Sequence, residues 1–364
     1  MTRRDLVLKK AWKGAAICAA AALVVATAFS GCGNKEEVSS VVEEVSSVAP
    51  VRYDNINPLT GLNDLPTAAK NQRPVAVMIN NNPNARPPWG ITAADMVIEG
   101  LVEGGATRMM WLYSDISAAP KIGSLRSMRH DFVELAKSLD AVLVHWGGSP
   151  QAYTSVTTNG VDDIDGISGG GNFFRDQTRL NSGIALEHTG YTTGENIIAA
   201  VEQKGFSLKS NGVSSPFVFG KPDEKRTLTG GSCTKVSAYF SGQGYDHTFI
   251  YNETDGLYYN YIDGEPMTDD NNGQHHAVTN VIGLFMDVSR IAGDSSGRMD
   301  MDLTGGTGFY VTGGTQETIT WKKGNTPSSP LKLYDKDGNE LVLNAGKSWI
   351  GLLPTSGQEN TTLT

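Results

Sequence analysis

Ala141-Val-Leu-Val-His-Trp-Gly-Gly-Ser-Pro150 decides how the first half of this chain is read. Residues 141–144 are an unbroken apolar run, the pattern of a strand buried on both faces. Ser149-Pro150 then supplies a helix N-cap and a proline at the first helical position. A buried strand running straight into a helix argues for an α/β unit. In open α/β sheets ligands collect beyond the carboxyl ends of the strands. His145, Trp146 and the amides of Gly147 and Gly148 fall at that place, although a histidine there is also commonly a satisfied core group.

Outward from this stretch the texture repeats. Pro74–Ile79, Met96–Val102 and Met109–Tyr113 read as further strands. Ser127 is placed to cap a helix running to about Leu139, with Phe132, Val133, Leu135, Ala136 and Leu139 on its apolar face. Thr193 caps another through Lys204, which Gly205 ends. After about Asn211 the helical signal fades. Lys235–Ser241, His247–Glu253, Leu257–Asp263, Val281–Val288, Arg298–Leu303, Phe309–Thr312 and Thr315–Lys323 alternate as strands. Asp263-Gly264 and Asp337-Gly338 are hairpin turn signals. The expected class is α+β: a mixed α/β domain over 57–205, a mostly β domain over 213–355 and a polar tail over 356–364.

The N-terminus carries an address. Arg3, Arg4, Lys9, Lys10 and Lys13 precede an apolar run from Ala15 to Phe29, too short to span a bilayer as a helix, and Phe29-Ser-Gly-Cys32 closes it. This is the pattern of a lipoprotein signal, residues 1–31, with Cys32 as the lipid attachment. Residues 1–31 hold five basic residues and one acid, so the rest of a chain of net charge −9 stands at −13. Such an acidic body is a poor partner for nucleic acid or for an anionic lipid surface, which leaves anchoring to the lipid. EEVSSVV and EEVSSVA, residues 36–49, form an acidic low-complexity tether within 32–56. Once Cys18 leaves with the signal and Cys32 is lipidated, Cys233 has no intramolecular partner.

Two groups of residues carry candidate chemistry. Arg126 and Arg129 flank a helix start, where positive charge is unfavourable unless an anion or carboxylate joins it. They are candidate ligand-binding residues, with Trp146 and Arg175; pairing with Asp131 or Glu134 is the structural alternative. His145, His188, Asp163, Asp165 and Glu187 are the candidate catalytic residues, able in principle to supply a base, an acid or a metal ligand. Gly166-Ile-Ser-Gly-Gly170 matches a nucleophile-elbow pattern in letters only, because it lies in a glycine loop rather than between strand and helix. H-E-x-x-H, Walker A, dinucleotide-binding and paired C-x-x-C patterns are absent. No cofactor or metal is therefore named.

The chain also resembles the YerB-like lipoprotein family, bacterial proteins of two conserved domains without an assigned activity. The resemblance rests on Asn57–Gly61, Arg73–Asn80, Asn84–Pro88, Glu99, Glu103–Gly105, Thr107-Arg108, Ile122–Arg129, His145–Gln151, Asp163–Gly166, Phe174–Asp176 and Glu187–Tyr191. Asn280–Ile282, Gly297-Arg298, Trp321–Lys323 and Gly346–Ile350 extend it. Ser124-Leu125 and Ser348 depart from the family pattern beside the charged positions. The resemblance implies a lipoprotein on the outer face of the cell membrane with partners in peptidoglycan synthesis. The expected function is a binding or accessory module for a cell-wall glycopeptide or a wall-synthesis protein. The alternative is a wall hydrolase or transferase. Convergence of His145, Asp163, Asp165 and His188 in one cleft would favour the enzyme.

Overall fold

A computed structural model describes residues 55–210 and 215–364. The signal segment, Cys32 and the tether lie outside the described residues. Among the described residues no helix is long and apolar enough to cross a membrane.

The apolar runs of the first segment become neighbouring strands. Val75–Asn80 (β1), Met96–Leu101 (β2) and Thr107–Tyr113 (β3) come first, with every residue buried. His130–Ser138 (α1) leads into Val142–His145 (β4), and Pro150–Asn159 (α2) leads into Asp163–Asp165 (β5). β4 lies parallel to β1, and β5 parallel to β4, as helical crossovers require. α2 begins as its sequence predicts: the Ser149 Oγ accepts the Ala152 amide at 3.1 Å and Pro150 occupies the first turn. Gly194–Gln203 (α3) is likewise capped by Thr193.

The regular structure of the second segment is nearly all strand. Lys235–Ala238 (β6), His247–Asn252 (β7) and Leu257–Ile262 (β8) form an antiparallel sheet. Asn280–Met286 (β9), Gly305–Thr312 (β10), Thr315–Lys322 (β11), Lys332–Tyr334 (β12) and Ser348–Pro354 (β13) instead extend the first sheet. Its order is β12-β11-β10-β9-β13-β2-β3-β1-β4-β5. β13 runs parallel to β9 on one side and to β2 on the other, so the two sequence segments keep their α/β and mostly β characters while sharing one sheet.

Strand alternation gives that sheet two buried faces. Val97, Met109 and Trp111 meet Ile197 and Val201 of α3 and Val236 and Phe249 of the second sheet. Ile98, Met110 and Leu112 meet Phe132 and Val133 of α1. Full burial of each such large apolar side chain contributes about 1.5–3 kcal/mol.

Three local expectations differ from the structure. The helix read as capped by Ser127 starts at His130 with Arg129 at the N-cap and no side-chain cap; the Ser127 hydroxyl turns to the Trp146 carbonyl, 3.2 Å away. The strand read as starting at Phe309 starts at Gly305. A side chain at Gly308 would meet the Gly283 carbonyl at 2.3 Å, so these glycines serve close strand approach rather than a turn. The residues read as a polar tail end in a strand, Thr362–Leu363, paired with β6.

Candidate functional site

β1, β2, β4 and β5 all point the same way, and β3 runs against them. Asn80, Leu101, His145 and Asp165 end their strands at the edge where Arg108 opens β3. This is the carboxyl edge, where the polar side chains divide into two groups.

The first group is built on arginine. Arg108 sits between Asn80 of β1 and Gly100 of β2, 5% exposed, on the face that α1 covers. Its Nε is buried without a partner. Among the described residues its guanidinium makes no hydrogen bond and no ion pair. Burial, and then repulsion from Arg129 and Arg126, push this group down to about 9, while Glu103 and Tyr245 oppose the shift without bonding to it. It remains charged at neutral pH, so the repulsion persists. The Arg126 guanidinium also makes no hydrogen bond or ion pair among the described residues. Burial lowers its pKa, Glu187 opposes that shift and Arg129 adds to it.

Arg129 is different. It forks onto the Glu103 carboxylate, with Nε 2.9 Å from Oε2 and Nη2 on Oε1, and donates to the Met128 carbonyl at 2.8 Å. Burial raises the Glu103 carboxyl, but the bond and charge of Arg129, a backbone amide and the charge of Arg108 together outweigh it, and the net shift is downward. The partner is thus Glu103, not Asp131 or Glu134. Arg129 is an internally paired residue, and the pair expected at the helix start contributes one open guanidinium, that of Arg126.

Arg175 completes the group by way of Trp146. Its guanidinium lies 3.8 Å from the centre of the indole ring, and its Nη1 donates to the Leu186 carbonyl at 2.6 Å. Trp146 is also packed by Phe173 and by Gly166 and Gly190, where a Cβ would stand 2.8 Å from the ring. Trp146 therefore positions Arg175. Glu187 is exposed and faces Arg126 and Arg175.

His188 borders the same charges. Asn80 Oδ1 accepts the Asn82 amide at 3.0 Å, which turns Asn80 Nδ2 towards His188 Nδ1 at 2.8 Å. Nδ1 must then be an acceptor, leaving Nε2–H as a donor. Burial lowers the pKa of this ring; Glu187 opposes the shift, and Arg126 and Arg108 add to it. A neutral ring whose acceptor nitrogen is already engaged is a poor general base and a usable hydrogen-bond donor.

The second group closes on itself. His145 is fully buried, with Nδ1 2.8 Å from the Gly147 carbonyl and Nε2 3.1 Å from Asp163 Oδ2. Asp165 accepts from the Gly147 amide at 2.8 Å, the Ile167 amide at 2.9 Å and the Tyr153 hydroxyl at 2.6 Å. Burial raises its pKa, but these three bonds dominate and the net shift is downward. No hydrogen bond or ion pair among the described residues joins His188 to this trio. Ser168 lies on a turn, Asp176 pairs with Lys121 at 2.5 Å, and no Ser-His-Asp arrangement forms.

Arg108, Asn80 and Glu103 were not singled out as site residues from the sequence. The available signal was one charged residue inside Thr107-Arg-Met-Met-Trp-Leu-Tyr113, a run otherwise apolar after its first threonine. A charge in a buried strand needs a partner or a purpose.

Fold and site together describe a mixed-sheet protein with an arginine-lined carboxyl edge. Its sequence matches the protein of unknown function (DUF3048) N-terminal domain over residues 59–207 and the DUF3048 C-terminal domain over residues 236–350, and the chain belongs to this family. It is 32% identical over 301 residues to "Putative lipoprotein YerB" of Bacillus subtilis (strain 168), covering 82% of this chain and 86% of that relative. It is also similar to the crystal structure of the Bacillus subtilis YerB protein, with a TM-score of 0.73 and 30% identity over 84% of this chain and 98% of that one.

Proposed function

We propose that this chain is a lipid-anchored extracytoplasmic protein that binds an anionic component of the cell envelope at the carboxyl edge of its sheet. Arg108, Arg126 and Arg175 would take a carboxylate or phosphate group, with His188 as an added donor. One observation carries the reading: a guanidinium 5% exposed, unpaired, and repelled by two neighbouring arginines. An arrangement that disfavours its own charge is stabilised by an incoming anion. The overall acidity of the body keeps this attraction local rather than general. A binding role fits better than wall hydrolysis or transfer, because His145 is held by Asp163 and the Gly147 carbonyl, Asp165 by two backbone amides and Tyr153, and His188 has its acceptor nitrogen occupied. Soluble cell-wall glycopeptide carries carboxylates of the required kind.

Calorimetric titration of the full chain in detergent with such fragments tests this. Binding should weaken with added salt. Equal binding by wild type and Arg108→Met, or none by wild type, would end the proposal. The anchor is tested separately: Cys32→Ala should move the protein out of the membrane fraction, and a variant still wholly membrane-bound would rule the lipid out as the tether.

A further inference from the structure

His130, Asp131 and Asp300 bring three donor atoms within 4.8 Å of one another. The first two open α1. The third lies 170 positions from His130, on the hairpin formed by Val288–Arg290 and Met299–Met301. His130 Nε2 stands 2.8 Å from Asp300 Oδ1 and 3.5 Å from Asp131 Oδ1. Asp131 is 3% exposed; its Oδ1 accepts the Met301 amide at 3.0 Å, and its Oδ2 is buried with no partner. A buried carboxylate oxygen with nothing to bind is rare in a folded protein. Here it belongs to a group already flanked by an imidazole and a second carboxylate.

We propose that His130, Asp131 and Asp300 hold a divalent transition-metal ion of the Zn²⁺ class. One imidazole nitrogen and two carboxylate oxygens are a borderline donor set, which favours such an ion over the all-oxygen sites of Mg²⁺ or Ca²⁺. Three protein donors leave a position for water. The helix dipole opposes a cation at the start of α1, but two full negative charges outweigh a partial positive one. The competing arrangement is the His130 Nε2–H shared between two aspartates, which needs no metal. That bridge leaves Asp131 Oδ2 bare in a buried carboxylate whose charge a bound ion would neutralise.

The ion would pin the hairpin to α1. Met301, next to Asp300, packs over Gly100, where a Cβ would stand 2.9 Å from its methyl group. Gly100 is the cross-strand neighbour of Arg108. The metal would thus brace the wall beside the arginines, and the inference uses none of the residues assigned to anion binding.

Titration of the metal-free full chain in detergent with Co²⁺, followed by its visible absorption, and with Zn²⁺ by equilibrium dialysis, tests the site. One ion per chain is expected. Even second-layer changes around a metal cost about 10–100-fold in affinity, so losing a ligand in His130→Ala or Asp300→Ala should weaken binding at least roughly tenfold. Asp300 has a side chain 59% exposed, so its removal leaves the core intact if Asp131→Asn fails to fold. Asp300→His supplies a nitrogen donor at the same place and should keep the Co²⁺ absorption. Absence of binding by wild type, or wild-type affinity in the His130→Ala/Asp300→Ala double variant, overturns the proposal and leaves the bridged ion pair.

Discussion

Thr107 and Arg108 follow one another in β3 and point to opposite faces of the sheet, and the two faces treat buried charge in opposite ways. On the Thr107 face Glu99 is fully buried. Its carboxylate accepts from Asn81 at 2.8 Å, Thr107 at 2.5 Å and Trp349 at 3.3 Å. His247 Nε2 lies 2.9 Å away, close enough for an ion pair though outside hydrogen-bond geometry. The network continues through His247 Nδ1 to Asn260 at 2.7 Å and from Asn260 to His276 at 3.2 Å. It ties β2 and β13 of the first sheet to β7 and β8 of the second. On the other face Arg108 has no such support. A charge whose partners are all internal holds a fold together; one left without partners is held ready for something outside it.

Four measurements would break or sharpen this contrast. The largest effect belongs to Glu99→Ala, which strips the shared acceptor from three buried donors and the carboxylate from beside His247, and should cost about 3–5 kcal/mol in urea unfolding. Arg108→Met should go the other way. Replacing the buried, repelled charge by an apolar chain of similar length should stabilise the fold by roughly 1–4 kcal/mol. The same variant should lose more than about tenfold in anion affinity, since each charge-assisted bond is worth about 1.5–3 kcal/mol. A destabilised Arg108→Met protein would mean that the guanidinium is structural and would cancel the contrast.

The third concerns acid. Burial first, then Lys347, His247 and His275, push His276 down to about 3. The unfolded ring titrates near about 6.5. Between these values the unfolded chain binds the extra proton, so the contribution of His276 is complete above about 6.5 and is lost as pH falls towards 3. Denaturation midpoints followed across that window should fall for wild type and fall less for His276→Gln; parallel curves would remove His276 as the cause. The smallest effect on stability is expected from Arg126→Gln. Its half-buried, unpaired group should leave the midpoint nearly unchanged while weakening anion binding about tenfold and flattening the salt dependence.

What could be read in the sequence was local. Ser149-Pro150 and Thr193 announced their helices because a cap acts within a few residues. Residues 141–144 announced a doubly buried strand, because both faces are covered here. Arg126 and Arg129 stood out because their charge meets a helix start, and in the structure Arg126 lies near enough to Arg175 to lower its pKa. What stayed hidden depends on pairing across long separations. Glu103 claims Arg129 from 26 positions away, farther than any helix-face rule looks. Asp163 claims His145 across the β4–β5 pair, a contact set by strand register rather than by sequence spacing. Gly346–Ile350 was visible as a motif, yet no periodicity shows that β13 slots between β9 and β2.

That position of β13 bears on the order of assembly. A strand near the end of the chain fills the middle of the sheet, so β2 and β9 each present an open edge until it arrives. A chain synthesised from its N-terminus delivers this strand late. The first segment appears with the β2 edge uncapped and cannot complete its sheet until β13 is present. Such long-range closure is slow. It delays the finished body until nearly all of the chain has been made, and in that interval the open edges are the parts most in need of protection from neighbouring chains.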